Sequence, residues 1–408
     1  MKNMILLTLV ALAAFSLPAE VSVSDITCTP RFPWNGKVDI DYTVGSDNPN
    51  EDICVLATAF DKDANVPIRV CTLTGEGAAL QPVKPGRRRL TWDAAADHPG
   101  LATTALRVDL VVHSGLQNNH RLYLIIDLSG GPEADSYPVS YLESVPEGGW
   151  SDEYKTTKLV LRRILPGTFR MGSPAGEYGR NNDETLHYVT LTQPYYIGVF
   201  EMTQKQWKLV MGSNPATDIG DTRPVHNLSY QMTCGSSAGL GWPLHDEVDA
   251  DSLLGRLRKR TGLRLDIPTE AQWEYACRAG TDTALPNGKD ATNENVNEIA
   301  RYLYNYTDGK GGYSGSHTTV GLYLPNNWGL YDVIGNVCEL CRDRWGSLSS
   351  SDAVDPKGAE YETDSRSVRS SWTGDGTNGA RSARRLGRRI NEGNRYQGCR
   401  LSLTIFGE

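Results

Sequence analysis

Two thiols three residues apart, Cys338 and Cys341, are the pair in this 408-residue chain with the spacing of a redox or metal motif. A zinc site built on them would need two further ligands, and neither a second Cys-x-x-Cys nor a histidine cluster accompanies them. In an extended segment, residues three apart point to opposite faces, which disfavours a disulfide between the two. Structural thiols, separate disulfide partners and redox or metal ligands all stay open for this pair. His187, His226, His245 and His317 show neither His-x-His nor His-Glu-x-x-His spacing, so each reads as a hydrogen-bonded structural residue. No Ser-His-Asp arrangement and no glycine-rich nucleotide loop stands out. Nine arginines fall from Arg366 to Arg400. They could meet an anionic ligand such as a sulfated or acidic glycan, or pair with nearby Asp and Glu and cover apolar surface.

The elements that would carry these residues follow from composition and period. A net charge of -8, with 39% hydrophobic and 22% charged residues, fits a soluble globular protein of two or three domains and gives no reason to expect nucleic acid as a partner. Residues 1–19 read as a secretory signal peptide. Lys2 is its charged start, Met4 to Phe15 its apolar run, and Leu17-Pro18-Ala19 precedes the cut. The mature chain is then expected to be secreted, periplasmic or in the cell envelope, with no later stretch able to span a membrane. An oxidising compartment permits disulfides among the eight cysteines, and Cys54 and Cys71 lie in neighbouring candidate strands.

Residues 20–128 read as all-β. Val38, Ile40, Tyr42 and Val44 alternate with polar residues after an Asn35-Gly36 turn. Leu106, Val108, Leu110 and Val112 repeat the pattern, and Tyr123, Ile125 and Asp127 form a further short run. A small sandwich, immunoglobulin-like, is expected. Residues 129–157, with Ser129-Gly130-Gly131-Pro132 and Pro146-Glu147-Gly148-Gly149, read as a linker. Residues 158–405 mix short strands, few helices and long loops. Capping boxes at Thr203/Gln206 and Thr269/Gln272 start two helices, Gly280 ends the second, and a third is expected over Ser252 to Arg260 before Gly262.

Five segments of this second domain, in order, resemble the formylglycine-generating enzyme (sulfatase-modifying factor) family. They are Pro166 to Ser173 with Asp183, Glu184 and His187; Tyr195 to Gln204; Pro224 to Ser229; Leu265 to Gly280; and Pro325 to Val337. The resemblance implies an α+β, loop-rich domain related to C-type lectins. Active aerobic members oxidise a cysteine in a Cys-x-Pro-x-Arg motif to formylglycine. They use two cysteines, three and eight residues after a Gly-Gly-Ser turn, to hold copper(I), a soft ion that prefers sulfur. The matching turn here is Arg369-Ser370-Ser371-Trp372, and the two positions are Gly374 and Gly379. No cysteine lies between Cys341 and Cys399, so copper is not expected.

The resemblance also implies structural calcium at Asp332 and Glu339 through side chains and at Gly335 and Val337 through carbonyls, a donor set that suits a hard ion. The alternative is that Asp332 caps a turn and Glu339 pairs with an arginine. A second family calcium site would lie nearer Tyr304 to Tyr313, with no ligands that align. The loop where the family's groove opens holds Ser371, Trp372, Asp375 and Asn378, with Arg385 beside it. The chain thus reads as a non-catalytic relative that binds a ligand, a glycan or a protein. The rival reading is an oxidoreductase that generates formylglycine in sulfatases, or a related oxygen-dependent enzyme with replaced catalytic groups, so enzymatic activity stays open.

Overall fold

A computed structural model describes residues 21–405 apart from 34, 62–65, 102–104, 117–120 and 306–316. The expected signal peptide and most of the Tyr304 to Tyr313 segment fall outside the described residues. The N-terminal module contains strands β1 (Val21–Pro30), β2 (Lys37–Ser46), β3 (Ile53–Asp61), β4 (Val66–Ile68), β5 (Leu73–Gly75) and β6 (Gly86–Asp93), the short helix α1 (Ala94–Asp97) and strand β7 (Leu106–Ser114). They form two antiparallel sheets, ordered β1-β2-β6-β5 and β4-β3-β7. The alternation in β2 places Val38, Ile40, Tyr42 and Val44 inward, where they share one core with Val55, Ala57, Trp92 and Leu110. Asp97 is buried beside that core. Its carboxylate accepts from Trp92 Nε1 (2.8 Å), the Cys71 amide (2.7 Å) and Thr72 Oγ1 (2.7 Å).

The second unit begins with β8 (Tyr123–Asp127), β9 (Val139–Leu142), β10 (Lys158–Ile164), β11 (Gly167–Met171), β12 (His187–Leu191) and β13 (Tyr195–Gly198). Helices α2 (Gln204–Met211), α3 (Tyr230–Cys234), α4 (Leu253–Thr261), α5 (Glu270–Arg278) and α6 (Asn293–Ile299) follow. Strands β14 (Cys338–Arg344), β15 (Ala353–Val354), β16 (Ser365–Arg369), β17 (Arg385–Arg389), β18 (Gln397–Gly398) and β19 (Ser402–Thr404) complete it. The three sheets are β19-β13-β10-β8-β9, β11-β12-β15 and β17-β16-β14-β18. Both capping boxes form as expected, Ser252 caps α4, and Gly262 closes it in the left-handed region. No helix among the described residues is long and apolar enough to cross a membrane.

The structure moves one boundary. Tyr123, Ile125 and Asp127, read from the sequence with the N-terminal module, belong to β8, which pairs antiparallel with β10 of the second unit. The reason lies in the residues between them. Leu124 and Ile126 are apolar too, so the strand is buried on both faces, with Tyr123 and Ile125 in one core and Leu124 and Ile126 in another. The 129–157 stretch is likewise more than a linker. It supplies β9, which pairs with β8, and buries Tyr137, whose hydroxyl donates to the carbonyls of Gly131 and Leu209 (both 3.0 Å).

The two units meet along β12. The Asp352 carboxylate accepts the backbone amides of Arg69 (3.1 Å) and Tyr188 (3.2 Å). The Arg69 guanidinium lies 4.0 Å from the centre of the Tyr188 ring. His113 Nε2 pairs with the Thr192 carbonyl (2.8 Å).

Candidate functional site

The loop between β16 and β17 carries the residues on which the copper chemistry would depend. Strand β16 ends at Arg369, and the chain turns through Ser370, a non-glycine residue held at φ 69°. Ser371 follows, buried, with its Oγ lacking a hydrogen-bond partner among the described residues. Trp372 then folds over Gly374: a Cβ added there would sit 1.9 Å from the indole ring. A Cβ at Gly379 would sit 2.9 Å from Cβ of Asp375. Real contacts of this kind are well above 3 Å, so a side chain at either position would require Trp372 or Asp375 to shift.

Trp372 packs on Tyr396 with ring centroids 3.6 Å apart. Beside this pair lies a cavity of about 310 Å³, lined also by Cys338, Arg388, Asn394 and Gln397. Burial pushes the Asp375 carboxyl up, against the pull of Arg384 and Arg388. Asp375 accepts the Trp372 amide (3.4 Å), and its own carbonyl accepts the Leu303 amide (3.1 Å). Asn378 is exposed, and its carbonyl accepts from Arg381 Nε (2.8 Å). Trp372 is therefore placed at a cavity, and Asp375 interacts electrostatically with the arginines around it.

Arg385 is placed elsewhere, in a buried ionic lattice that holds the loop. Helix α5 puts Glu270 and Glu274 one turn apart, on a face that meets β16. Arg369 donates to Glu270 (3.0 Å) and Glu274 (2.5 Å), and Arg385 binds Glu270 with both Nε (2.7 Å) and Nη2 (2.8 Å). Burial alone would raise the Glu270 carboxyl, but Arg385 and Arg369 bring it down to about 2. Asp343, buried beside Glu270 and accepting its amide (2.7 Å), goes the other way, to about 7, through burial and the charge of Glu270. Arg381 binds Glu184 and Glu177 (2.7 Å each). Four of the nine arginines, Arg369, Arg381, Arg385 and Arg400, are thus buried and paired with carboxylates. They pair with carboxylates rather than a ligand, but with carboxylates far away in sequence, not with local ones.

Cys338 and Cys341 lie in β14 with their side chains in different cores. Both are free thiols, as is Cys399, and burial raises all three well above the ordinary thiol value. Cys71 is free as well, so it makes no bridge to Cys54. Copper(I) needs two converging thiolates, and this pair neither converges nor ionises readily. The residues present do not fit a bis-thiolate copper centre.

The expected calcium turn is formed by three left-handed residues, Asp332 (φ 52°), Gly335 (φ 86°) and Asn336 (φ 57°). Glu201 closes it, accepting from Asn336 Nδ2 (2.7 Å) and the Val337 amide (3.1 Å). Asp332 accepts the Gly321 amide through Oδ2 (2.6 Å), while its Oδ1 is buried without a partner among the described residues. Glu339 is taken by Arg400 Nη2 (2.8 Å) and Trp273 Nε1 (2.7 Å). Three buried carboxylates thus surround one guanidinium. Burial, reinforced by Asp332 and Glu339, pushes Glu201 far up, and burial raises Asp332 to about 6. The orphaned Oδ1 of Asp332 is the kind of hard oxygen a calcium ion takes, while Glu339 is already committed to Arg400. Among the described residues, no group of three or more His, Cys, Asp or Glu side chains converges on a metal-sized site. Glu201, Glu270, Glu274 and Arg400 were missed as site builders. For Glu270 and Glu274 the signal was acidic residues on the partly apolar helix α5, where burial demands a cation; Glu201 and Arg400 lie between elements and gave no such signal.

A mostly β, loop-rich unit with few helices and an arginine–carboxylate lattice beneath its loops defines the class. The chain belongs to the sulfatase-modifying factor enzyme 1-like domain family, whose model matches residues 151–392. It is 36% identical over 106 residues to the formylglycine-generating enzyme of Thermomonospora curvata, covering 24% of this chain and 35% of that one. It is 33% identical over 238 residues to the Mus musculus formylglycine-generating enzyme, covering 49% of this chain and 63% of that one. The chain therefore spans less than two thirds of these relatives. Among solved structures, PvdO from Pseudomonas aeruginosa aligns with a TM-score of 0.48 and 23% identity, over 60% of this chain and 94% of that one.

Proposed function

We propose that this protein is an exported, non-catalytic member of its family that recognises a glycan in the cavity beside Trp372. The observation that carries the reading is the filling of the copper positions: Trp372 occupies the space over Gly374, and Asp375 that over Gly379. Trp372 also forms an aromatic platform with Tyr396, flanked by Asn394, Gln397 and the cation of Arg388. Aromatic faces beside polar groups suit sugar rings, which present apolar C–H faces and hydroxyl edges. In this reading residues 1–19 are a cleaved leader, the N-terminal sandwich is immunoglobulin-like, and the mature protein acts outside the cytoplasm. Calcium is proposed as a structural ion at Asp332 and the Gly335 and Val337 carbonyls, with Glu339 joining only where it releases Arg400.

The test uses the mature chain, residues 20–408. A glycan panel read by tryptophan fluorescence should yield a saturable ligand, and Trp372→Ala should weaken it about tenfold, with the fold intact. Binding to a protein alone would replace the glycan by the alternative ligand. Copper, oxygen and a reductant with a Cys-x-Pro-x-Arg peptide should give no formylglycine by mass spectrometry, beside an active control. Conversion of the peptide would sink the non-catalytic reading. Calcium should raise the melting temperature of the mature chain but not that of Asp332→Asn.

A further inference from the structure

A second cleft, of about 500 Å³, opens where β12 ends, between the loop after α3 and the start of α5. Its walls divide by chemistry. Trp242, Pro243, Leu244 and Leu191 make an apolar side, and Leu244 stands 81% exposed. The rest carries the cations Arg258, Arg264, Arg342 and Lys357, the carboxylates of Asp246, Asp266 and Asp355, and His245 among neutral polar residues.

The pairing leaves positive charge over. Asp266 is buried and shared by two guanidinium groups, Arg258 Nη2 (2.7 Å) and Arg342 Nη1 (2.8 Å). Asp246 is taken by Arg264 (2.6 Å). Asp355 is spent on Thr192, accepting its amide (2.9 Å) and its hydroxyl (2.5 Å). Lys357 is exposed and makes no ion pair among the described residues. Four cations thus face three carboxylates, an excess of one positive charge. The guanidinium of Arg342 lies 4.8 Å from the Trp242 ring centre, so charge and apolar surface adjoin directly.

We propose that this cleft is a second binding site, separate from the Trp372 cavity, for a small organic carboxylate with an apolar body, either a free acid or a peptide C-terminus. One anionic group would meet Arg342 and Lys357, and the apolar body would cover Trp242 and Leu244. The volume is that of a small-molecule site, and the single excess charge selects a monoanion. The proposal does not depend on the function assigned to the Trp372 cavity, because the two share no lining residue.

Titration of the mature chain by calorimetry tests it, with N-acetyl-L-phenylalanine as the probe and its amide as the neutral control. The acid should bind saturably, and the amide about tenfold more weakly, since one charge-assisted contact is lost. A tripeptide ending in phenylalanine, with a free or an amidated C-terminus, separates the two sources: equal affinity to the free acid assigns a peptide end, and weaker binding assigns a small acid. Lys357→Gln, at an exposed residue without an ion pair, should cost the acid about threefold and leave the amide unchanged. Arg342→Gln, checked for folding by circular dichroism, should cost more. Absence of saturable binding up to about 10 mM, or equal affinity for acid and amide, overturns the proposal.

Discussion

Ser370 illustrates how one side chain can sit against the preference of its backbone. The left-handed region costs a non-glycine residue about 1–2 kcal/mol, and Ser370 holds it at φ 69°. Ser370→Gly is expected to stabilise the protein by about 1 kcal/mol, read as a higher urea midpoint with an unchanged slope. The Asp343 carboxyl gives a pH signature. Its value rises from 3.8 unfolded to about 7 folded, so the stability tied to its neutral form is complete below 3.8 and is lost as pH rises towards 7. Glu270 has the opposite sign: its contribution is present above 4.5 and is lost as pH falls towards 2. Asp343→Asn keeps an oxygen for the Glu270 amide and removes the charge. It should flatten the fall between pH 4 and 7 by about 2 kcal/mol, measured by denaturant unfolding across that range.

At the scale of elements, helix α5 acts as the anchor of the site. Its capping box starts the helix so that Glu270 and Glu274 face β16, and Arg369 and Arg385 complete the charge. Arg369→Ala leaves two buried carboxylates short of a partner and should cost about 3–5 kcal/mol in a thermal or denaturant melt. Loss below 1 kcal/mol would show that water has entered the lattice. The α5 start was legible in the sequence because Pro268, Thr269 and Gln272 are local signals. The lattice was not, since pairing between α5, β16 and β17 joins residues about a hundred positions apart, and spacing along the chain holds no trace of it. Helix α6 was missed for a different reason: it is short and polar, and only Val296 and Ile299 are buried.

The whole molecule joins two units through side chains as well as through the connecting chain. Asp352 holds Arg69 and Tyr188 by their amides, and Arg69 covers the Tyr188 ring. Asp352→Ala should loosen this seam, so that calorimetry resolves two melting steps where the parent gives one; an unchanged single transition would show that the units are coupled by other contacts. The β character of the first unit was readable from the period of β2 and β7. The ownership of β8 was not, because Leu124 and Ile126 make its second face apolar too, and a strand buried on both faces carries no alternation to assign it to one sheet. The absence of thiols at Gly374 and Gly379 was readable as two glycines. That the Trp372 ring lies over Gly374 required three dimensions.

The pairing of β8 with β10 decides where the chain can be cut. Residues 151–392, the stretch the family model matches, look like a natural expression fragment. Yet in the sheet β19-β13-β10-β8-β9 that fragment keeps only β10 and β13, and it also discards β18. Both remaining strands would offer bare backbone edges, the usual template for intermolecular pairing and precipitation. A fragment that stays in solution has to begin before Tyr123 and run through Thr404.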